Sequence, residues 1–77
     1  MSRGDGMETF SERLALERKA QGLSQRQFAE KLGISQSTYM HYELIGTANG
    51  REPSFAILYK IAQVLDVSLD YLFGLED

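Results

Sequence analysis

The chain has no cysteine. That excludes a disulfide framework and a thiolate metal site, and it suits a reducing cytoplasm. One histidine, His41, cannot assemble a histidine metal site by itself, so neither a metal nor a cofactor is expected. No apolar run approaches the ~20 residues of a membrane span, and no signal-peptide core follows the N-terminus. No contact with a membrane is therefore expected. No segment recurs at a period of ~20–50 residues, which excludes solenoids and repeat arrays. There is no second histidine and no serine, histidine and aspartate arrangement for nucleophilic chemistry, so the chain does not read as an enzyme.

Positive charge is scarce too. Eight Lys and Arg face eleven Asp and Glu, giving a net charge of −3 and a pI of about 5.0. This counts against simple backbone binding of nucleic acid, which is driven by cations that release counterions. The distribution is uneven, however. Residues 7–43 balance to zero, and the whole deficit of three falls in residues 44–77.

What is present is a pattern of short capped helices. At 77 residues one domain is expected, burying roughly 60–65% of its extended surface. Met1 to Glu8 reads as a flexible tail, and residues 9–75 as the folded domain. Thr9 and Glu12 fit a capping box, so a first helix is expected from about Phe10 to Gln21. Phe10 and Leu14 share its inner stripe with Glu17 or Arg18, and Leu16 lies off it. Gly22 is placed to end it.

Ser24 and Gln27 form a second capping box, opening a helix that runs to about Leu32 with Phe28, Ala29 and Leu32 on one face. Gly33 stops it and Ile34 plugs the turn. Ser35 caps a third helix, from Gln36 to about Leu44, with Tyr39 and Tyr42 inward. Leu44 to Pro53 is rich in turn residues and reads as a loop. A fourth helix is expected from about Ser54 to Leu65, with Phe55, Leu58, Ile61, Ala62 and Leu65 inward. Ser68 caps a short fifth helix, with Leu69, Leu72 and Phe73 inward and Gly74 at its end. The fold class is all-α.

Residues 24–44 have the layout of a helix-turn-helix. With Tyr39 and Tyr42 inward, the opposite stripe of the third helix carries Gln36, Ser37, Met40, His41 and Leu44. None is a carboxylate, and their chemistry suits base edges in a major groove. Glutamine pairs with adenine N6 and N7, serine serves several bases, methionine covers a thymine methyl, and histidine donates to guanine N7 or to a phosphate. Gln25, at the start of the second helix, is placed to hold a phosphate. Arg26 and Arg51 are the expected cationic phosphate contacts.

At these residues the chain resembles a known family, the Xre-type helix-turn-helix domains of lambdoid phage repressors and Cro proteins. The resemblance rests on Arg18, Gly22-Leu23-Ser24-Gln25, Phe28 to Ser35, and Tyr42-Glu43. It continues through Pro53-Ser54, Leu58, Ile61-Ala62, Leu65, Val67 to Asp70 and Leu72. It implies a compact five-helix lambda-repressor-like domain that binds double-stranded operator DNA as a transcriptional regulator. In the family, a glutamine at the position of Gln25 clamps a phosphate and braces the one at Gln36. The family's base-reading positions fall on Gln36, Ser37, Met40 and His41, and its structural ion pair on Arg18 and Glu43. The passage from Glu43 to Pro53 is longer than the family pattern, and the recognition stripe lacks a lysine or arginine.

The apolar tail makes Tyr71, Phe73 and Leu75 candidates for a two-fold dimer contact. Such a dimer would set two recognition helices ~34 Å apart on a near-palindromic operator. The resemblance places the protein in a bacterial or phage-encoded setting, in the cytoplasm and on the nucleoid when bound. The rival reading is a protein-interaction module of the same fold, such as an antitoxin whose acidic half binds a basic toxin, or an adaptor that has lost DNA binding.

Overall fold

The computed structural model describes residues 6–76; the first five residues, most of the expected tail, lie outside them. Five helices follow in order: α1 (Gly6–Ala20), α2 (Gln25–Leu32), α3 (Gln36–Tyr42), α4 (Phe55–Leu65) and α5 (Leu69–Leu72). Among the described residues there is no β-strand, only an isolated bridge between Ile45 and Thr47. The all-α expectation holds. None of these helices is long and apolar enough to cross a membrane.

The caps behave as their sequence chemistry requires. Ser24 Oγ accepts from Gln27 N at 3.0 Å, and Gln27 Oε1 accepts from Ser24 N at 2.9 Å. Both halves of the capping box are therefore made. Ser35, Ser54 and Ser68 cap α3, α4 and α5 through the same hydroxyl-to-backbone bond. Gly33 ends α2 at φ 77°, a left-handed conformation that a side chain resists.

Two boundaries and one orientation differ from expectation. The first helix begins at Gly6, so Thr9 lies inside it and cannot cap it. Thr9 instead packs where the chain turns at Gly74: a Cβ added to Gly74 would lie 3.0 Å from the Thr9 methyl. The third helix stops at Tyr42, with Glu43 as its cap. Phe55, expected inward, is 87% exposed. It is the first residue of α4, and the Cα–Cβ bond of a helical residue tilts toward the N-terminus. The ring is thus carried off the end of the packed stripe.

The core is a single cluster. Phe10 and Leu14 of α1 meet Phe28, Ala29 and Leu32 of α2, Tyr39 and Tyr42 of α3, Leu58, Ile61 and Leu65 of α4, and Leu72 of α5. α2 packs on α3 and α4, and α5 packs on α1 and α4. Ala29 is buried where its small side chain lets neighbouring helices approach. Phe28 and Tyr39 meet edge to face at 5.1 Å, and Tyr39 meets Tyr42 the same way at 6.2 Å. Such pairs add ~0.5–1.5 kcal/mol beyond their area. These contacts fix the angle between α2 and α3, and so set which side of α3 faces outward.

Candidate nucleic-acid interface

The outward side of α3 is assembled by elimination. Tyr39 and Tyr42 are buried, which leaves Gln36 and Ser37 exposed, Met40 38% exposed and His41 half-buried. Neither Gln36 nor Ser37 has a side-chain hydrogen bond among the described residues. Leu44, expected on the same stripe, lies beyond the end of α3 and is half-buried.

The other side of α3 is tied down by Glu43. Arg18 donates from Nε to Glu43 Oε2 at 2.6 Å and from Nη2 to Oε1 at 3.3 Å. Both side chains are 9% exposed. Arg18 Nη1 donates to the Leu23 carbonyl at 2.7 Å, linking the pair to the turn before α2. The Tyr39 hydroxyl donates to Glu43 Oε2. Gln25 Nε2 donates to Glu43 Oε1 at 3.0 Å. Residues of α1, α2 and α3 therefore converge on one carboxylate.

The electrostatics follow from that convergence. Burial alone would raise the Glu43 carboxyl, but hydrogen bonds from Arg18, Tyr39 and Gln25, with the Arg18 charge, outweigh it. The carboxylate is held below its ordinary range. Arg18 is stabilised as a cation, first by its hydrogen bond to Glu43. Burial, reinforced by the bond to Glu43, pushes the Tyr39 hydroxyl well above the ordinary tyrosine range, so it remains a donor.

The Arg18–Glu43 pair is as expected, but the role of Gln25 differs in part. Its amide braces Glu43, and no hydrogen bond joins it to Gln36 among the described residues. The physical reason is competition: a buried carboxylate is a stronger acceptor than a neutral amide. The second proton on Gln25 Nε2 is left over. The first-turn N–H groups of Gln25 and Arg26 also lack intrahelical acceptors, as at any helix start. Arg26 is exposed and, among the described residues, forms a long 3.7 Å ion pair with Glu30, one turn on. Arg51 is exposed beyond α3.

The residues 14–72 match the helix-turn-helix family model. The chain belongs to the Xre-type, lambda-repressor-like helix-turn-helix family. It is 48% identical over 63 residues to the uncharacterized HTH-type transcriptional regulator YqaE of Bacillus subtilis, covering 82% of this chain and 51% of that one. It is 41% identical over 68 residues to the regulator YobD of the same organism, covering 88% and 57%. It is 43% identical over 65 residues to the cryptic phage CTXphi transcriptional repressor RstR of Vibrio cholerae, covering 84% and 54%. The chain thus spans about half the length of the curated relatives it matches. No solved structure matches it.

Two parts of this Xre-type domain escaped the sequence reading. Tyr39 and Glu43, the cap of α3, stand four apart, a spacing that could have paired them. The contact of His41 Nδ1 with the Asn49 carbonyl at 2.7 Å crosses an irregular loop and left no periodic signal. The dimer candidates are used differently from one another. Phe73 stacks on Phe10 at 5.1 Å, and Tyr71 lies under the Arg13 guanidinium at 4.5 Å while donating to Glu17 at 3.0 Å. Both are half-buried within the monomer, whereas Leu75 is 76% exposed. Of the three, only Phe73 lines a cavity of about 360 Å³, together with Glu52, Pro53, Ser54, Phe55 and Leu58.

Proposed function

We propose that this domain is the DNA-reading unit of a transcriptional regulator of repressor type. It inserts α3 into the major groove, with Gln36, Ser37, Met40 and His41 toward base edges. Gln25, Arg26 and Arg51 meet phosphates. The observation that carries this reading is the outward stripe of α3: exposed, free of carboxylates, and opposite a side locked by buried tyrosines and Glu43. The relatives named as HTH-type regulators and a phage repressor support the same reading.

The stripe has no lysine or arginine and the chain is net acidic, so each monomer contributes little counterion release. The domain therefore acts as a homodimer on a near-palindromic operator. Phe55, exposed at the cavity that Phe73 also lines, and the exposed Leu75 supply apolar surface for a second copy.

Binding to operator-like duplexes across a salt series tests the proposal. A fall of affinity with rising salt is expected, with a slope set by the few cations that meet phosphates. Gln36→Ala should cause a large loss for the preferred sequence and relax preference at the position it reads, and Gln25→Ala should weaken all sequences about equally. The acidic balance of residues 44–77 favours one second reading, a protein-interaction module of antitoxin type. Absence of tight binding to any duplex at low salt, with a basic protein co-purifying, would decide for it.

A further inference from the structure

The residues between α3 and α4 are folded back onto the end of α3. Thr47 Oγ1 donates to the Leu44 carbonyl at 2.6 Å, and Asn49 N donates to Thr47 Oγ1 at 3.2 Å. Gly50 N donates to the Thr47 carbonyl at 3.2 Å and Arg51 N to the His41 carbonyl at 3.1 Å. Gly50 leaves no space for a side chain. A Cβ there would lie 2.6 Å from both the Ile45 Cα and the Leu44 oxygen, which are backbone and cannot swing away. The base of the loop is fixed from the core: Ile45 is buried, and Ser11 of α1 donates its hydroxyl to the Ile45 carbonyl at 3.1 Å. At the tip, the Asn49 carbonyl lies 2.7 Å from His41 Nδ1.

A carbonyl oxygen can only accept. The ring nitrogen facing it must carry the proton, so a neutral His41 is the Nδ1–H tautomer and Nε2 holds a lone pair. The two nitrogens flank one ring carbon and project apart, so Nε2 is turned away from the loop. Nothing among the described residues hydrogen-bonds it.

We infer that the loop makes His41 a hydrogen-bond acceptor toward DNA, so that it selects adenine N6 or cytosine N4 and rejects guanine. Asn49 sets the tautomer through its carbonyl, and Gly50 lets the loop approach closely enough to do so. Both are positioning residues that act through His41. Guanine presents N7 and O6 in the major groove, two acceptors that oppose a lone pair, whereas the amino groups of adenine and cytosine donate. The donation to guanine N7 that histidine chemistry allows in general is thus closed to this ring in its neutral form. The inference rests on the proposed major-groove reading and adds the polarity of one contact.

The test has two arms, both at pH 8, above the ordinary titration range of histidine. Nitrogen-15 NMR of the free protein should report the Nδ1–H tautomer for His41. Gly50→Ala should lift the loop and restore the Nε2–H form. Selection from randomised duplexes should then show one half-site position where wild type takes adenine or cytosine over guanine by roughly 3- to 10-fold, the worth of one hydrogen bond. His41→Ala should erase that preference, and His41→Lys, a pure donor, should turn it to guanine. An Nε2–H tautomer in wild type overturns the inference without need of the variant, should Gly50→Ala fail to fold. The Nδ1–H tautomer with guanine preferred at that position overturns the base assignment. The Nδ1–H tautomer with no duplex retained overturns the DNA reading beneath it.

Discussion

The two ends of α3 are built in opposite ways. At the C-terminal end the polar side chains are tied to the fold: Glu43 accepts from Arg18, Tyr39 and Gln25, and His41 bonds the Asn49 carbonyl through Nδ1, keeping only Nε2. At the N-terminal end Gln36 and Ser37 are exposed, with no side-chain partner among the described residues. One end is anchored to three other segments, while the other keeps its donors and acceptors for a ligand. A rigid helix with unspent hydrogen-bonding capacity at one end is what sequence readout needs, since loosely held side chains discriminate poorly.

The largest effect should come from cutting the anchor. Glu43→Ala leaves the Arg18 guanidinium, 9% exposed, without its countercharge. Removing one partner of a buried pair costs about 3–5 kcal/mol, a large part of the stability of a small domain. Urea denaturation measures it. A loss below about 1 kcal/mol would mean that the pair behaves as a surface ion pair, and the contrast between the two ends would collapse.

Gln36→Ala is the complementary experiment at the free end. Stability should stay within about 0.5 kcal/mol of wild type, as for surface positions away from special features. Affinity for a preferred duplex should fall by about 1–3 kcal/mol, the discrimination of one bidentate base contact. Thermal melting and equilibrium binding separate the two quantities. A destabilised variant with unchanged binding would reverse the roles assigned to the two ends.

This division explains which features the sequence disclosed. Helix starts were legible because capping is local: Ser24, Ser35, Ser54 and Ser68 each cap the helix they precede. The start of α1 was misplaced because Thr9 and Glu12 satisfy a capping pattern that a longer helix overrides. The inner faces of α2 and α3 were legible from spacing, and the exposed stripe followed as the remainder. Phe55 failed because a periodic stripe carries no information about where packing ends. Gln25, the burial of Ile45 and the Asn49 contact depend on which acceptor wins in three dimensions. No spacing rule ranks the carboxylate that caps α3 against a glutamine within that helix.

Acid should test the anchor by titration. The folded Glu43 carboxyl is held below its ordinary value of 4.5 by its hydrogen-bond donors and the Arg18 charge, against the burial that would raise it. A carboxyl lowered on folding contributes stability that is fully present above its unfolded value. That contribution is lost as pH falls through the folded value. The stability of wild type should therefore drop in the acid range below 4.5, and the Glu43→Gln variant, already weakened, should show a flatter acid limb in denaturation at successive pH values. Equal acid limbs would assign the acid loss to other carboxylates.

The smallest effect is the most diagnostic of how the anchored end works. Tyr39→Phe removes only the hydroxyl, and the fully buried ring keeps its edge contacts with Phe28 and Tyr42. Glu43 keeps its bonds from Arg18 and Gln25, so the loss should be about 1.5 kcal/mol, the low end for one hydrogen bond to a charged group. In a Glu43→Ala background the same change should cost almost nothing or slightly stabilise. There the hydroxyl has already lost its acceptor, and a buried unpaired polar group is itself a burden. A double-mutant cycle reads the difference as a coupling energy. Strong coupling means that Tyr39, Glu43 and Arg18 act as one unit holding the C-terminal end of α3. Simple additivity would mean that the helix is held by apolar packing alone, and that the carboxylate is incidental to the angle at which α3 is presented.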